Sequence, residues 1–417
     1  MRDGRRWMVT GVVGLLAALA VGCALGPRAL ESDRIRYNEA VKTTSEEQLL
    51  LNIVRLRYLD TPSSLAITAI ADQKELTGSL KAMPFFVAGD TRSFTSVLPQ
   101  AELNKADRPT LTFTPQDDQE FTRRLFTPLP LEGVLYLSKT TWPISVVFRL
   151  WLENLNWVSN AETASGPTPV EPPVFVEFVR GMEVLQRLQD RKIVALFGED
   201  SEEKVTEGVP EERIRGGDVV EAAKAGYSYR KTDKGDGWTL VKKRRQASLR
   251  VRPDRLTDPD VLEFCRLFRL RPGLRSYQIE TEKVDPFLAD APPDGLRTLD
   301  LETRSLLQVL YFLCQGVEVP PDHLAAGIVR VTLEPDGRVF DYQQVLGGLF
   351  KVHVACGKER PPFAHVAVPY RGYWFYLDER DADSKSTFSL MLELTRLELN
   401  AKTAASPVLT LPLSGGF

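Results

Sequence analysis

Histidine and cysteine are scarce. The 417-residue chain has three histidines and four cysteines, and none falls in the clustered spacing that holds zinc. His323, His353 and His365 form no H-E-x-x-H pair. Phosphate loops are missing too. Gly357-Lys358 lacks an upstream glycine and a following Ser or Thr, and Gly347-Gly348 is not a dinucleotide fingerprint. No G-x-S-x-G nucleophile elbow occurs. The sequence therefore points to no metal and no cofactor. A charge excess of either sign is also lacking, with 53 basic against 56 acidic residues and a net charge of −3. That balance speaks against a nucleic-acid partner. A mean hydropathy of −0.18 excludes a polytopic helical membrane protein.

What is present begins with Arg2, Arg5 and Arg6, followed by the apolar run Met8 to Val21, MVTGVVGLLAALAV. This run is shorter than the ~20 residues a membrane-spanning helix needs, so residues 1–22 read as a signal peptide. Removing them leaves 50 basic against 55 acidic residues, a net of −5. The segment closes Leu19-Ala20-Val21-Gly22-Cys23, which resembles the lipobox of bacterial lipoproteins. A peptidase needs small side chains beside its cut, and only a thiol can take a diacylglyceryl thioether. Ala20 stands where leucine is usual. Two acyl chains on Cys23 make a stable anchor, at ~0.8 kcal/mol per buried methylene. Ala24 replaces the aspartate that commonly retains lipoproteins at the inner membrane, which favours the outer membrane. An ordinary signal peptide with a chance cysteine is the plainer alternative. Gly4 to Val9 also resembles a loose twin-arginine signal, so the export route stays open.

The pattern beyond Cys23 predicts an α+β fold, with mixed helices and mainly antiparallel sheets in two domains. Residues 23–43 read as a lipidated tether and 44–158 as an N-terminal α+β domain. Residues 159–173 read as a Pro-rich linker, and 174–417 as a C-terminal α+β domain with an acidic loop at 198–218. Thr44 with Glu47, or Ser45 with Gln48, fits a capping box opening the helix LLLNIVRLRYL. SLAITAIA (64–71) and PTLTFTP (109–115) alternate as strands. Helices are expected over 120–126, 131–137, 144–158, 175–188, 258–269, 301–315 and 384–399. Residues 226–252 read as a β-meander. Further strands are expected at 275–281, 329–333, 349–356, 363–369 and 373–378, with a last one in PVLTLPL. Cys265 and Cys314 sit in apolar runs and should be buried. Spacing does not decide whether any two of Cys265, Cys314 and Cys356 pair.

Two segments stand out as candidate sites. Lys242-Lys243-Arg244-Arg245 concentrates positive charge in an acidic chain and could meet an anionic surface. The plainer reading is a solvated strand edge kept from aggregating by charge. Tyr370-Arg371-Gly372-Tyr373-Trp374-Phe375-Tyr376 reads as a hairpin turn leading into a strand that is aromatic on both faces. Arg371, Trp374 and Tyr376 are candidate partner contacts, because such residues anchor interfaces. Packing against the helix that starts near Ser384 is the plainer explanation. His353 and Cys356 lie three apart on one expected strand, hence on opposite faces, and form no local nucleophile pair.

Four stretches resemble an uncharacterised family of bacterial lipoproteins. They are RYNEAVKTTSEEQLLLNIVRLRY (36–58), PTLTFTPQDDQEFTRRLFTPLP (109–130), TRSLLQVLYFLCQGVEVP (303–320) and VPYRGYWFYLDERDADSKSTFSLML (368–392). The resemblance supports lipid attachment and implies no catalytic residues. Together these features lead us to expect a lipid-anchored envelope protein on the periplasmic face of the outer membrane. It would be a non-catalytic scaffold or adaptor with a protein partner. The alternative is a membrane-anchored hydrolase of envelope glycans or lipids, whose two carboxylates would share one cleft. No later stretch reads as a membrane span, so Cys23 would supply the whole attachment.

Overall fold

The computed structural model describes residues 34–63, 65–86, 95–115, 119–139, 142–210, 214–232, 237–281 and 294–400. Residues 1–33, which include Cys23, and the PVLTLPL stretch lie outside them. The chain is an α+β fold. It forms two compact units, one of residues 1–45, 63–122 and 399–417, the other of residues 46–62 and 123–398.

In the smaller unit, β1 (Leu65–Phe86) and β2 (Thr95–Pro115) pair antiparallel into a two-stranded ribbon. The expected strands at 64–71 and 109–115 are its base, with Ile70 opposite Leu111 and Ala71 opposite Thr110. The register shifts once, between Ile67 and Ala69. Helix α1 occupies residues 34–57 and starts upstream of the expected cap. The reason is visible at Thr44 and Ser45. Their hydroxyls donate back to the carbonyls of Ala40 and Val41 at 2.8 and 2.6 Å. That is the mid-helix use of a hydroxyl, not the N-cap use.

The larger unit holds the core. A sheet of order β4-β3-β9-β8-β7-β5 comprises β3 (Leu152–Leu155), β4 (Val158–Ser159), β5 (Val194–Val209), β7 (Trp238–Val251), β8 (Ser276–Glu280) and β9 (Thr298–Thr303), with β6 (Tyr227–Lys231) also paired to β7. Every pairing is antiparallel except β8 with β9. A second antiparallel sheet has the order β10-β12-β11, from β10 (His353–Cys356), β11 (Ala364–Tyr370) and β12 (Tyr373–Asp378). The helices include α4 (Ile144–Trp151), α5 (Val176–Asp190), α7 (Pro259–Leu267) and α8 (Leu306–Cys314). Trp151, Phe178, Phe268, Phe312, Phe350, Phe375 and Phe388 are all fully buried in one core.

Several boundaries differ from expectation. The helix expected over 144–158 ends at Trp151, because Asn156 and Trp157 have φ of 48° and 62° and turn the chain between β3 and β4. Two left-handed residues make the tight turn suited to a two-residue hairpin. The Asn156 amide donates to the Phe268 carbonyl at 2.7 Å and accepts from the Asp300 N–H at 2.8 Å. The helix expected from 301 starts at Leu306, capped by Ser305, whose hydroxyl accepts from Gln308 N–H while Gln308 accepts from Ser305 N–H. Residues 298–303 are strand instead. The third meander strand is absorbed into the continuous β7. Residues 329–333 form no regular strand. The stretch 159–173 does not separate domains: Asn160, Ala161, Ala164, Ser165 and Thr168 are buried, and the Asn160 amide donates to Leu152 O at 2.7 Å. The acidic 198–218 stretch is strand as far as Val209 and helix again from Gly216.

Candidate functional site

A gathering of ionisable and aromatic groups in the larger unit forms where α1 ends against the β11–β12 turn. Tyr58 is buried in the turn that immediately follows α1, and Leu59 then turns left-handed with φ 56°. The Tyr58 hydroxyl lies 2.8 Å from His323 Nδ1. Its ring packs edge-on to Tyr370, His323 and Phe375, with centroids 5.2 to 6.1 Å apart. His323 in turn packs edge-on to Tyr373 at 5.2 Å. The Tyr370 hydroxyl donates to Asp60 Oδ2 at 3.0 Å, and Thr61 N–H donates to Asp60 Oδ1 at 2.9 Å. Those two donors hold the Asp60 carboxyl below its ordinary range.

Arg371 is exposed and caps this cluster. Together with Gly372 it makes the expected turn, at φ 47° and 88°. Its guanidinium carbon sits 5.5 Å from both the Tyr58 and the Tyr370 ring centroids, within range of a cation–π attraction. Trp374 and Tyr376 are half-buried on β12, whose alternate residues Phe375 and Leu377 are in the core. Trp374 is flanked by Ala355 and Pro369, and Tyr376 by His353 and Ala367. The His353 ring lies 5.5 Å from that of Tyr376. Glu318 accepts from Lys351 at 2.9 Å and from Val354 N–H at 3.2 Å. Burial pushes its carboxyl up, and these donors more than offset that, so it rests below its ordinary value.

A tyrosine hydroxyl on an imidazole is an acid–base pair by type. At Tyr58, however, burial pushes the hydroxyl up to about 12, against the opposing pull of Arg57. A catalytic base needs the reverse shift. A cavity of about 50 Å³ lies elsewhere, lined in part by Glu132, Gln246, Glu280 and Thr281. It holds two carboxylates, but sites for small molecules are ~300 Å³ or larger. Among the described residues, no group of three His, Cys, Asp or Glu could hold a metal ion.

Lys242 to Arg245 lie in β7, in register with an acidic run on β5. Lys242 is opposite Glu203, Lys243 opposite Glu202, Arg244 opposite Ser201 and Arg245 opposite Asp200. Opposite charges placed directly across a strand pair favour that register. Lys242 is exposed, with its ammonium 5.6 Å over the Tyr227 ring. The side chains of Lys243, Arg244 and Arg245 lie outside the described residues, as does Cys23. Cys265 and Cys314 are buried, Cys356 is exposed, and all three are free thiols.

The structure brings Arg371 together with Tyr58, Asp60 and His323, which the sequence reading did not select. Positions 58, 323 and 370 share no local spacing, so only the tertiary fold could join them. No family model, curated protein or solved structure matches this chain.

Proposed function

We propose that this protein is a lipid-anchored envelope scaffold or adaptor, facing the periplasm from the outer membrane and acting by binding rather than catalysis. The observation that carries the binding half is the exposed Arg371, held over the Tyr58 and Tyr370 rings beside the half-buried Trp374 and Tyr376. Aromatic and arginine side chains on a rigid frame lose little entropy when a partner covers them, and they dominate interface energetics. The lipobox-like run ending at Cys23 supports the anchor. The Glu132–Glu280 cavity is too small to favour the hydrolase alternative.

Two measurements test the reading. The chain should incorporate labelled palmitate in a diderm host, and Cys23→Ser should abolish that labelling. Persistent labelling of the variant would refute anchoring at this residue. For binding, the intact protein cross-linked in envelope membranes should recover one stoichiometric protein. Arg371→Ala with Trp374→Ala should lower that recovery about 30-fold or more, as loss of an interface hot spot does. Equal recovery by wild type and variant would sink the docking assignment.

A further inference from the structure

The β1–β2 ribbon pairs without interruption from Asp72–Pro109 to its far end at Phe86–Thr95. Because side chains alternate along a strand and direct partners share a face, this register sorts the residues. One face carries Leu80 with Ala101, Ala82 with Pro99, and Pro84 with Val97. From Leu76 to Phe86 no charged residue of β1 falls on it. Charge on that face begins at the base, at Lys105, and then at Lys74 opposite Asp107. The other face is polar over most of the span, with Lys81 opposite Gln100, Ser79 opposite Glu102 and Thr77 opposite Asn104, and turns apolar at the far end, with Met83 opposite Leu98 and Phe85 opposite Ser96.

We infer that this ribbon is a membrane-inserting hairpin, its apolar face covered by lipid acyl chains and its two edges closed by ribbons of further copies. The span fits. Leu76 to Phe86 covers roughly 33 Å along the strand. At a tilt of ~45° that is about 23 Å along the membrane normal, against an apolar band of ~25 Å in outer-membrane barrels. The charge distribution is complementary to a bilayer, neutral where hydrocarbon would lie and charged where headgroups begin. Alternation of apolar and polar residues is the pattern of a barrel wall with a wet interior. Among the described residues the ribbon has no third strand. An open strand edge is not tolerated in hydrocarbon, because its N–H and C=O groups would find no partner. Insertion therefore requires several copies, edge to edge. Pro84, Pro99 and Pro109 all fall on the same face and pair parity, so the three missing donors belong to one type of pair.

The inference does not need lipid at Cys23, so it is tested in the full chain carrying Cys23→Ser and Cys356→Ser. Leu80→Cys and Ser79→Cys are labelled in turn with an environment-sensitive fluorophore. The probe is vesicles of phosphatidylethanolamine and phosphatidylglycerol with nitroxide on the acyl chains. Label at 80 should shift to the blue and be quenched by the nitroxide. Label at 79 should stay accessible to aqueous iodide, and cross-linking should trap oligomers. A charge at the centre of the face, Leu80→Arg, should cut vesicle binding roughly 30-fold or more without lowering the melting temperature. Absence of nitroxide quenching at 80 would overturn the inference. So would equal quenching at 79 and 80, which removes the two-faced wall. A blue shift at 80 without vesicles, in a soluble dimer, would place a second copy on that face and also overturn it. Failure here leaves palmitate labelling untouched, and failure of that labelling leaves this result untouched.

Discussion

Tyr58 couples the fold to alkaline pH. An ordinary tyrosine titrates near 10, and burial raises Tyr58 to about 12 in the folded protein. Below pH ~10 both states keep the proton and the stabilisation is complete. Between ~10 and ~12 the unfolded state gives up its proton first, so stability falls as pH rises, by up to ~1.4 kcal/mol per unit for one proton. Tyr58→Phe should lose about 1 kcal/mol at neutral pH, since the hydrogen bond to His323 goes. It should also show a shallower fall in stability from pH 10 to 12, read by denaturant melts at each pH. An unchanged slope would exclude Tyr58 as a contributor. Burial shifts Arg304 in the opposite direction. It is wholly buried, and burial pushes it down to about 9, against the pull of Glu153 and Glu162. An arginine nevertheless keeps its proton in a folded protein, and the partners of Arg304 are those of a charged guanidinium. Its guanidinium donates to Ser165 Oγ at 2.8 Å and to the Arg149 and Leu150 carbonyls at 3.0 and 3.2 Å. It also lies 3.9 Å over the Phe312 ring. The buried thiols of Cys265 and Cys314 followed from their apolar surroundings in the chain. The burial of Arg304 did not, because an arginine looks solvated until its carbonyl partners are gathered by folding.

At the scale of elements, α5 and α7 show how close packing and charge divide the work. Asp258 caps α7 by accepting from Asp260 N–H, and Pro259 follows at the first helical position. Arg191 at the end of α5 grips Asp258 at 2.5 Å and Asp260 at 2.8 Å, while Arg187 reaches Asp260 at 2.8 Å. Gly181 lets α5 approach: a Cβ there would overlap the buried Phe268 ring. Alanine favours a helix over glycine by about 1 kcal/mol, but overpacking a full core costs ~1–3 kcal/mol. Gly181→Ala should therefore lower stability on balance, measured by urea midpoint. A midpoint at or above wild type would show that Phe268 moves aside without cost. Elements whose signals are local were legible. The strand 373–378 starts where expected because Arg371-Gly372 fixes the turn. Elements decided by distant partners were not. Leu301 is expected to open the helix that became α8, yet β3 and β8 draw residues 298–303 into a sheet. The middle of the ribbon was missed because Asp72 to Glu75 interrupt its apolar alternation with charge.

For the whole molecule, the described core belongs to the larger unit, from Leu49 on α1 to Leu392. Replacing residues 65–115 by a short Gly-Ser linker should leave that core intact. The melt should stay cooperative, with its midpoint moved by no more than about 3 °C, the size expected of a ~1 kcal/mol change in a domain this large. Loss of cooperativity would show that the core depends on the ribbon. The α+β class could be read from segregated helix and strand signals, but the division at 159–173 could not. Proline and polar residues mark exposed linkers only when nothing buries them, and here Thr168 accepts from Arg57 at 2.9 Å.

The pairing of β3 with β9 joins Leu155 to Leu301, positions about half the larger unit's sequence apart. Ribosomes and export channels deliver the chain from its N-terminus, so β3 appears long before the strand that completes it. Closing so distant a pair is entropically slow. A chain threaded unfolded across a membrane would expose the edge of β3 throughout that interval, and a partly folded intermediate with an open edge is prone to aggregate. Were the chain exported as proposed, passage in a folded state would confine that interval to synthesis, and the timing of this one strand pair would then bear on the route.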